Sequence, residues 1–170
     1  MAKEITMEQR LELDELIRKA RAAQSIIEGY SQERVDKLCR AVAWAISNKK
    51  TFLKLVDMGI EESGLGDPVS RQGKRFKIRG ILRDALRQKS VGLIEEDVQK
   101  GIYKYAKPVG LIASLVPTTN PDLTPGGQAV YAIKARDVVI FSPHPRSKKT
   151  TFESVRIMRE ALEKEGAPAD

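Results

Sequence analysis

Apolar positions recur at helical spacing through the first half of the chain, then at strand spacing, then in alternation between the two. Leu13, Leu16, Ile17, Ala20, Gln24 and Ile27 follow a three- and four-residue rhythm that Gly29 ends. Thr6 and Gln9 stand at the spacing of a capping box ahead of it. Ser31 is placed to cap a second helix, with Val35, Leu38, Cys39, Val42 and Ile46 along one face. Phe52, Leu55, Val56 and Gly59 predict a third helix, closed by the turn Gly64-Leu-Gly-Asp-Pro68, and a fourth is expected over 69–87. Segments 90–95 and 101–106 read as a hairpin. From Pro108 the pattern changes. Residues 109–116 form a near-continuous apolar run, as in a strand buried on both faces. A helix with Pro125 in its first turn and Val130 and Ile133 further on leads to a second such strand at 138–141. A last helix over 148–165 carries Phe152, Val155, Ile157, Met158 and Leu162, and Gly166 ends it. The fold class is α/β: N-terminal helices and a hairpin leading into one strand–helix–strand unit of a parallel sheet, with the sheet incomplete. The expected divisions are 1–89, 90–107 and 108–170.

Both strands run into turns rich in Pro, Ser, Thr and Asn. Open parallel sheets bind ligands at the carboxyl ends of their strands, so function is sought at residues 118–120 and 142–146. With 170 residues and 41% hydrophobic content, the chain has enough apolar material for one core and no run long enough to span a bilayer. Its first nine residues lack an apolar signal core, so a cytoplasmic protein with no membrane partner is expected. Cys39 is the single cysteine and His144 the single histidine, which leaves no internal disulfide and no Cys- or His-based metal cluster. Cys39 lies within an apolar stripe, the setting of a buried structural thiol and not of a nucleophile.

Net charge is +7, and much of the excess lies in 71–89, with Arg71, Lys74, Arg75, Lys77, Arg79 and Arg83 among its residues. Such a helix can attract phosphates or nucleic acid. Phe76 has no aromatic neighbours to stack bases, so a solvated face is the preferred reading over a nucleic-acid surface. Gly64-Leu-Gly66 follows no strand and reads as a helix-terminating turn, not a phosphate loop.

Val116-Pro-Thr-Thr-Asn-Pro121, followed by Val139-Ile-Phe-Ser-Pro-His-Pro-Arg146, resembles the N-terminal part of the CoA-acylating branch of the aldehyde dehydrogenase superfamily. Glu62-Ser-Gly-Leu-Gly66, Gly166-Ala-Pro168 and Tyr30-Ser-Gln-Glu-Arg-Val-Asp-Lys37 fall in the matching order. Ala41-Val-Ala-Trp-Ala-Ile46 and Gly80-Ile-Leu-Arg-Asp84 are similar to the branch that acts on sulfoacetaldehyde. The resemblance implies a Rossmann-like sheet, NAD as cofactor, CoA as co-substrate, an aldehyde substrate, and a homo-oligomer with the hairpin on its oligomerisation surface. It also implies that the catalytic cysteine and the Gly-rich cofactor turn lie downstream of the matched segment. The chain is therefore expected to be inactive alone. The alternative is a non-catalytic or split subunit that binds a partner through unpaired sheet edges, and Val138, Val139 and Ile140 are the side chains expected to be left partly uncovered.

By the same resemblance, Val116, Pro117, Thr118 and Thr119 face the nicotinamide half of the cofactor, and the amide of Asn120 contributes to an oxyanion hole. If the two prolines are kept in register with the non-acylating branch, Thr119 takes that position instead. A purely structural alternative has Asn120 capping the next helix. Ser142 stands where the non-acylating branch has a ribose-binding lysine. Ser142, Pro143, His144 and Arg146 then face the adenine nucleotide, the alternative for His144 being a rigid Pro-flanked turn. Gly126-Gly127, Asp137, Gly73 and Phe76 depart from the family pattern.

Overall fold

The computed structural model describes residues 4–169. Helices α1 (Met7–Ile27), α2 (Gln32–Ser47) and α3 (Lys49–Ser63) open the chain. Thr6 and Gln9 form the expected capping box, and Ser31 accepts from the Arg34 N–H. Asn48 ends α2 and caps α3 through its side chain, a double duty the spacing did not suggest. Most of the first half of α1 stands free. Leu13, Leu16 and Ile17, which carry the apolar helical spacing, are exposed, and only Ala20, Ala23 and Gln24 of this helix are buried.

The single helix expected over 69–87 is two: α4 (Pro68–Gln72), capped by Asp67, and α5 (Arg75–Arg87). The break falls at Gly73 and Lys74, and Gly73 is the weak helix former of the two. It turns Arg71 inward, while Phe76 and Arg79 stay on the solvent face. Strands β1 (Gly92–Asp97) and β2 (Ile102–Ala106) pair antiparallel with a register shift after Leu93. Strands β3 (Leu111–Val116) and β4 (Val138–Pro143) pair in parallel, with Val116 opposite Pro143. Helix α6 (Thr124–Ala135) is the crossover between them, and α7 (Lys148–Lys164) follows a 3-10 turn at Pro145–Ser147.

The core lies between α2, α3, α5, α6 and α7, around Val42, Ile46, Phe52, Leu55, Val56, Ile78 and Val130. Cys39 belongs to it, and burial pushes its thiol up to about 12, so it is inert at neutral pH. The paired glycines of α6 are explained by close approach. A Cβ on Gly126 would lie 3.1 Å from Ile46 and 3.3 Å from Ile78, and one on Gly127 would lie 3.0 Å from Ile81. Asp137 is also accounted for: its buried carboxylate accepts the Gly110 N–H at 2.7 Å and fixes the entry to β3 against the entry to β4.

The parallel sheet is bordered by an open apolar groove of about 370 Å³, lined by Leu16 and Ala20 of α1, Val139 and Phe141 of β4, and Phe152 and Val155 of α7. Val138, Val139 and Ile140 are each half-buried, as expected of an unfinished sheet. Phe152 is 68% exposed at this groove, although its spacing puts it on the apolar stripe of α7. Among the described residues no helix is long and apolar enough to cross a membrane.

Candidate functional site

The right-handed crossover brings the loops after β3 and β4 to one edge of the sheet. The His144 N–H donates to the Val116 carbonyl at 3.0 Å, so the two loops are joined where the strands end. The first loop, 117–123, is built from successive turns. The Asn120 N–H donates to Pro117 at 3.3 Å, and the Thr124 N–H donates to the Asn120 carbonyl at 3.0 Å. Thr119 is exposed, Thr118 and Asn120 are half-buried, and Pro121 and Asp122 are buried.

The Asn120 side chain does not cap α6, whose N-terminus has no side-chain cap. Its Oδ1 accepts from Lys74 Nζ at 2.7 Å, and its Nδ2 lies 3.3 Å from Thr119 Oγ1. Beneath it, Arg71 Nη2 donates to Asp122 Oδ1 at 2.6 Å and to the Thr119 carbonyl at 3.2 Å, while its Nη1 donates to Leu65 at 2.8 Å. Arg71 is 2% exposed and Asp122 fully buried, so the pair is tightly desolvated. Removing one partner of such a pair strands the other charge. The guanidinium also explains Gly66, which has φ +104° and where a Cβ would sit 2.5 Å from Arg71 Cδ. The Gly-x-Gly segment is thus a turn, as expected, and it also makes room for the arginine that clamps the loop.

In the second loop Ser142 and His144 are exposed and Pro143 is half-buried. His144 Nδ1 accepts the Arg146 N–H at 3.1 Å, which fixes the ring by its inner nitrogen. Arg146 Nη2 donates to the Ser63 carbonyl at 2.7 Å, tying the loop to the end of α3. The neighbouring Glu62 accepts from the Lys149 and Thr150 N–H groups at 2.8 Å each and from Thr150 Oγ1 at 2.9 Å. Burial is the largest single influence on Glu62 and works against its charge, but these donors together outweigh it and hold its carboxyl below the ordinary value. The N-terminal N–H groups of α7 are therefore already occupied by a carboxylate of the chain.

Arg71, Lys74, Asp122 and Glu62 were not singled out as site residues. Arg71 and Lys74 stand in the sequence only as part of a charge run, and their side-chain partners Asp122 and Asn120, like the Lys149 and Thr150 donors to Glu62, lie far away in sequence. The edge presents the hydroxyls of Thr119 and Ser142, the imidazole of His144 and the carboxamide of Asn120. That neutral donor and acceptor set suits the ribose and amide parts of a nucleotide.

No family model matches the chain. Over 155 residues it is 47% identical to a sulfoacetaldehyde dehydrogenase of Acholeplasma sp, covering 91% of this chain and 32% of that protein. Over 152 residues it is 45% identical to an acylating sulfoacetaldehyde dehydrogenase of Bilophila wadsworthia, covering 89% and 33%. The crystal structure of an acetylating aldehyde dehydrogenase from Geobacillus thermoglucosidasius matches with TM-score 0.89 at 34% identity, over 98% of this chain and 37% of that one. A probable aldehyde dehydrogenase from Listeria monocytogenes EGD-e matches with TM-score 0.88 at 34% identity, over 93% and 35%. The fold is accordingly the opening part of a Rossmann-like cofactor domain. In sequence and structure the chain is similar to the N-terminal part of acylating aldehyde dehydrogenases, and it spans about a third of the length of these relatives.

Proposed function

We propose that this chain supplies part of the NAD site of an acylating aldehyde dehydrogenase, which converts an aldehyde, CoA and NAD to an acyl-CoA and NADH. The observation that carries the reading is the parallel register of β3 and β4, which sets residues 117–120 beside 142–146 at one sheet edge. When bound, NAD supplies the hydride acceptor. Val116, Pro117, Thr118 and Thr119 shape the nicotinamide side. The Asn120 amide N–H donates to the oxygen that gains charge when a thiolate attacks the aldehyde. Ser142, Pro143 and His144 flank the adenosine side, and Arg146 holds their loop. The substrate we put first is sulfoacetaldehyde, because two relatives at 47% and 45% identity are named for it. A cytoplasmic setting and a homo-oligomer built through the β1–β2 hairpin complete the reading.

The test is a residue-resolved NMR titration of the 170-residue chain with NAD. Thr118, Thr119, Ser142 and His144 are expected to shift first. Shifts confined to α5, with those residues silent, would mean plain charge attraction and remove the site assignment.

A second reading rests on the open groove beside β4. A protein-interaction module, with a partner covering Val139, Phe141 and Phe152, needs no chemistry in the loops. In that case NAD leaves both loops silent.

A further inference from the structure

Lys74 lies at the break between α4 and α5, one turn beyond Arg71, and the two residues reach the same loop at different depths. Arg71 is committed below, to Asp122 and to the carbonyls of Thr119 and Leu65. Lys74 takes the upper position, half-buried, with Nζ donating to Asn120 Oδ1 at 2.7 Å. Nearby Phe76 faces away from this site, with the guanidinium groups of Arg75 and Arg79 over its ring.

A primary carboxamide has two flips that exchange its oxygen and nitrogen, and a neutral hydroxyl neighbour accepts either. The other contact of Asn120 is the Thr119 hydroxyl, at 3.3 Å, which does not distinguish them. An ammonium has donors only, so it admits a single flip, with Oδ1 toward Lys74 and Nδ2 directed away. A cation on the carbonyl oxygen also draws electron density from the amide, and its N–H becomes a stronger donor.

We propose that Lys74 is a positioning residue, which fixes and polarises the Asn120 carboxamide so that its N–H is presented to a developing oxyanion. The inference rests on the reading of Asn120 as an oxyanion donor and deepens it. Arg71, Lys77 and Asp122 are the charged groups that bear on the ammonium. Burial lowers the pKa of Lys74 below the ordinary lysine value, and repulsion from Arg71 adds to this. The polarising charge is therefore lost at a lower pH than for a free lysine.

The test reads the side-chain amide signals of Asn120 in ¹⁵N-labelled chain, compared among the unsubstituted protein, Lys74→Met and Lys74→Arg. The unsubstituted protein is expected to give a well-separated, downfield pair. K74M is expected to collapse that separation and K74R to restore most of it, with the backbone signals of α6 unchanged. An Asn120 pair indifferent to K74M, or moved by K74M and not restored by K74R, would overturn the inference. Should K74M fail to fold, a pH titration of the unsubstituted chain decides. The Asn120 pair is expected to titrate with a midpoint below that of an ordinary lysine, and no such titration would count against the role. The same samples are titrated with NAD. Silence of Thr118 and Thr119 alongside the expected Lys74 signature would sink the cofactor-site reading and leave the Lys74–Asn120 pairing supported.

Discussion

Arg136 shows how a single residue can be held in a costly conformation by what it ties together. It adopts the left-handed backbone region at φ 67°, the one described non-glycine residue to do so. Its Nη1 donates to the Glu28 carbonyl at 2.7 Å, its Nη2 to Ala106 at 3.1 Å, and its own carbonyl accepts Gln24 Nε2 at 2.9 Å. The end of α1, the end of β2 and the start of β4 meet at this one side chain. Each charge-assisted bond contributes roughly 1.5–3 kcal/mol. The left-handed backbone costs about 1–2 kcal/mol for a residue with a Cβ. Arg136→Gly removes the guanidinium bonds and relieves the strain, whereas Arg136→Ala removes the bonds and keeps it. Denaturant unfolding is expected to rank the proteins wild type, then Gly, then Ala, with the last two about 1 kcal/mol apart. An alanine variant as stable as the glycine variant would show that the strain is not real. This feature was not legible in the sequence. Local pattern places a helix through Ile133 and a strand from Val138, but a helix usually ends in this conformation on glycine or asparagine.

Helices and strands were far more legible, because a period of 3.6 or 2 is written locally. The capping box at Thr6, the cap at Ser31, the two parallel strands and α7 all fall where spacing puts them. What spacing does not carry is the partner from another element, and Glu62 is the clearest case. It ends α3 yet caps α7, 87 and 88 residues away. A carboxylate at a helix N-terminus combines hydrogen bonding with a favourable dipole interaction, together contributing about 0.5–2 kcal/mol. Its pKa is depressed in the folded state, so the sign is fixed. The contribution is fully present above the unfolded carboxylate value and is lost as pH falls through the lower folded value. Glu62→Gln is expected to be less stable than wild type at neutral pH by roughly that amount. The gap is expected to close as both proteins are taken into the acid range. A difference that stays constant across pH would assign the effect to packing instead of charge.

At the scale of the whole molecule the sequence announced an unfinished sheet, and the structure gives that a location. Among the described residues β3 and β4 pair only with each other, and the apolar groove runs beside β4 between α1 and α7. Its extent was not readable, because Leu16 and Phe152 carry the spacing of buried residues and yet stand 46% and 68% exposed. Periodicity records which face is apolar and is silent on whether anything covers it. Isolated apolar side chains on a surface are ordinary, but a continuous lined groove marks a surface for association. The chain alone is therefore expected to self-associate, with sedimentation that depends on concentration and an unfolding midpoint that rises with it. Phe152→Lys separates this from a stability effect. The side chain is already exposed, so monomer stability is expected to change by no more than about 0.5 kcal/mol. Buried in an association interface, the same ring would contribute about 1.5–3 kcal/mol, so its loss is expected to weaken association by tenfold or more. Sedimentation velocity over a hundredfold range of concentration checks both proteins together. A wild-type chain that stays monomeric throughout would overturn self-association through this groove and leave only a different partner to cover it.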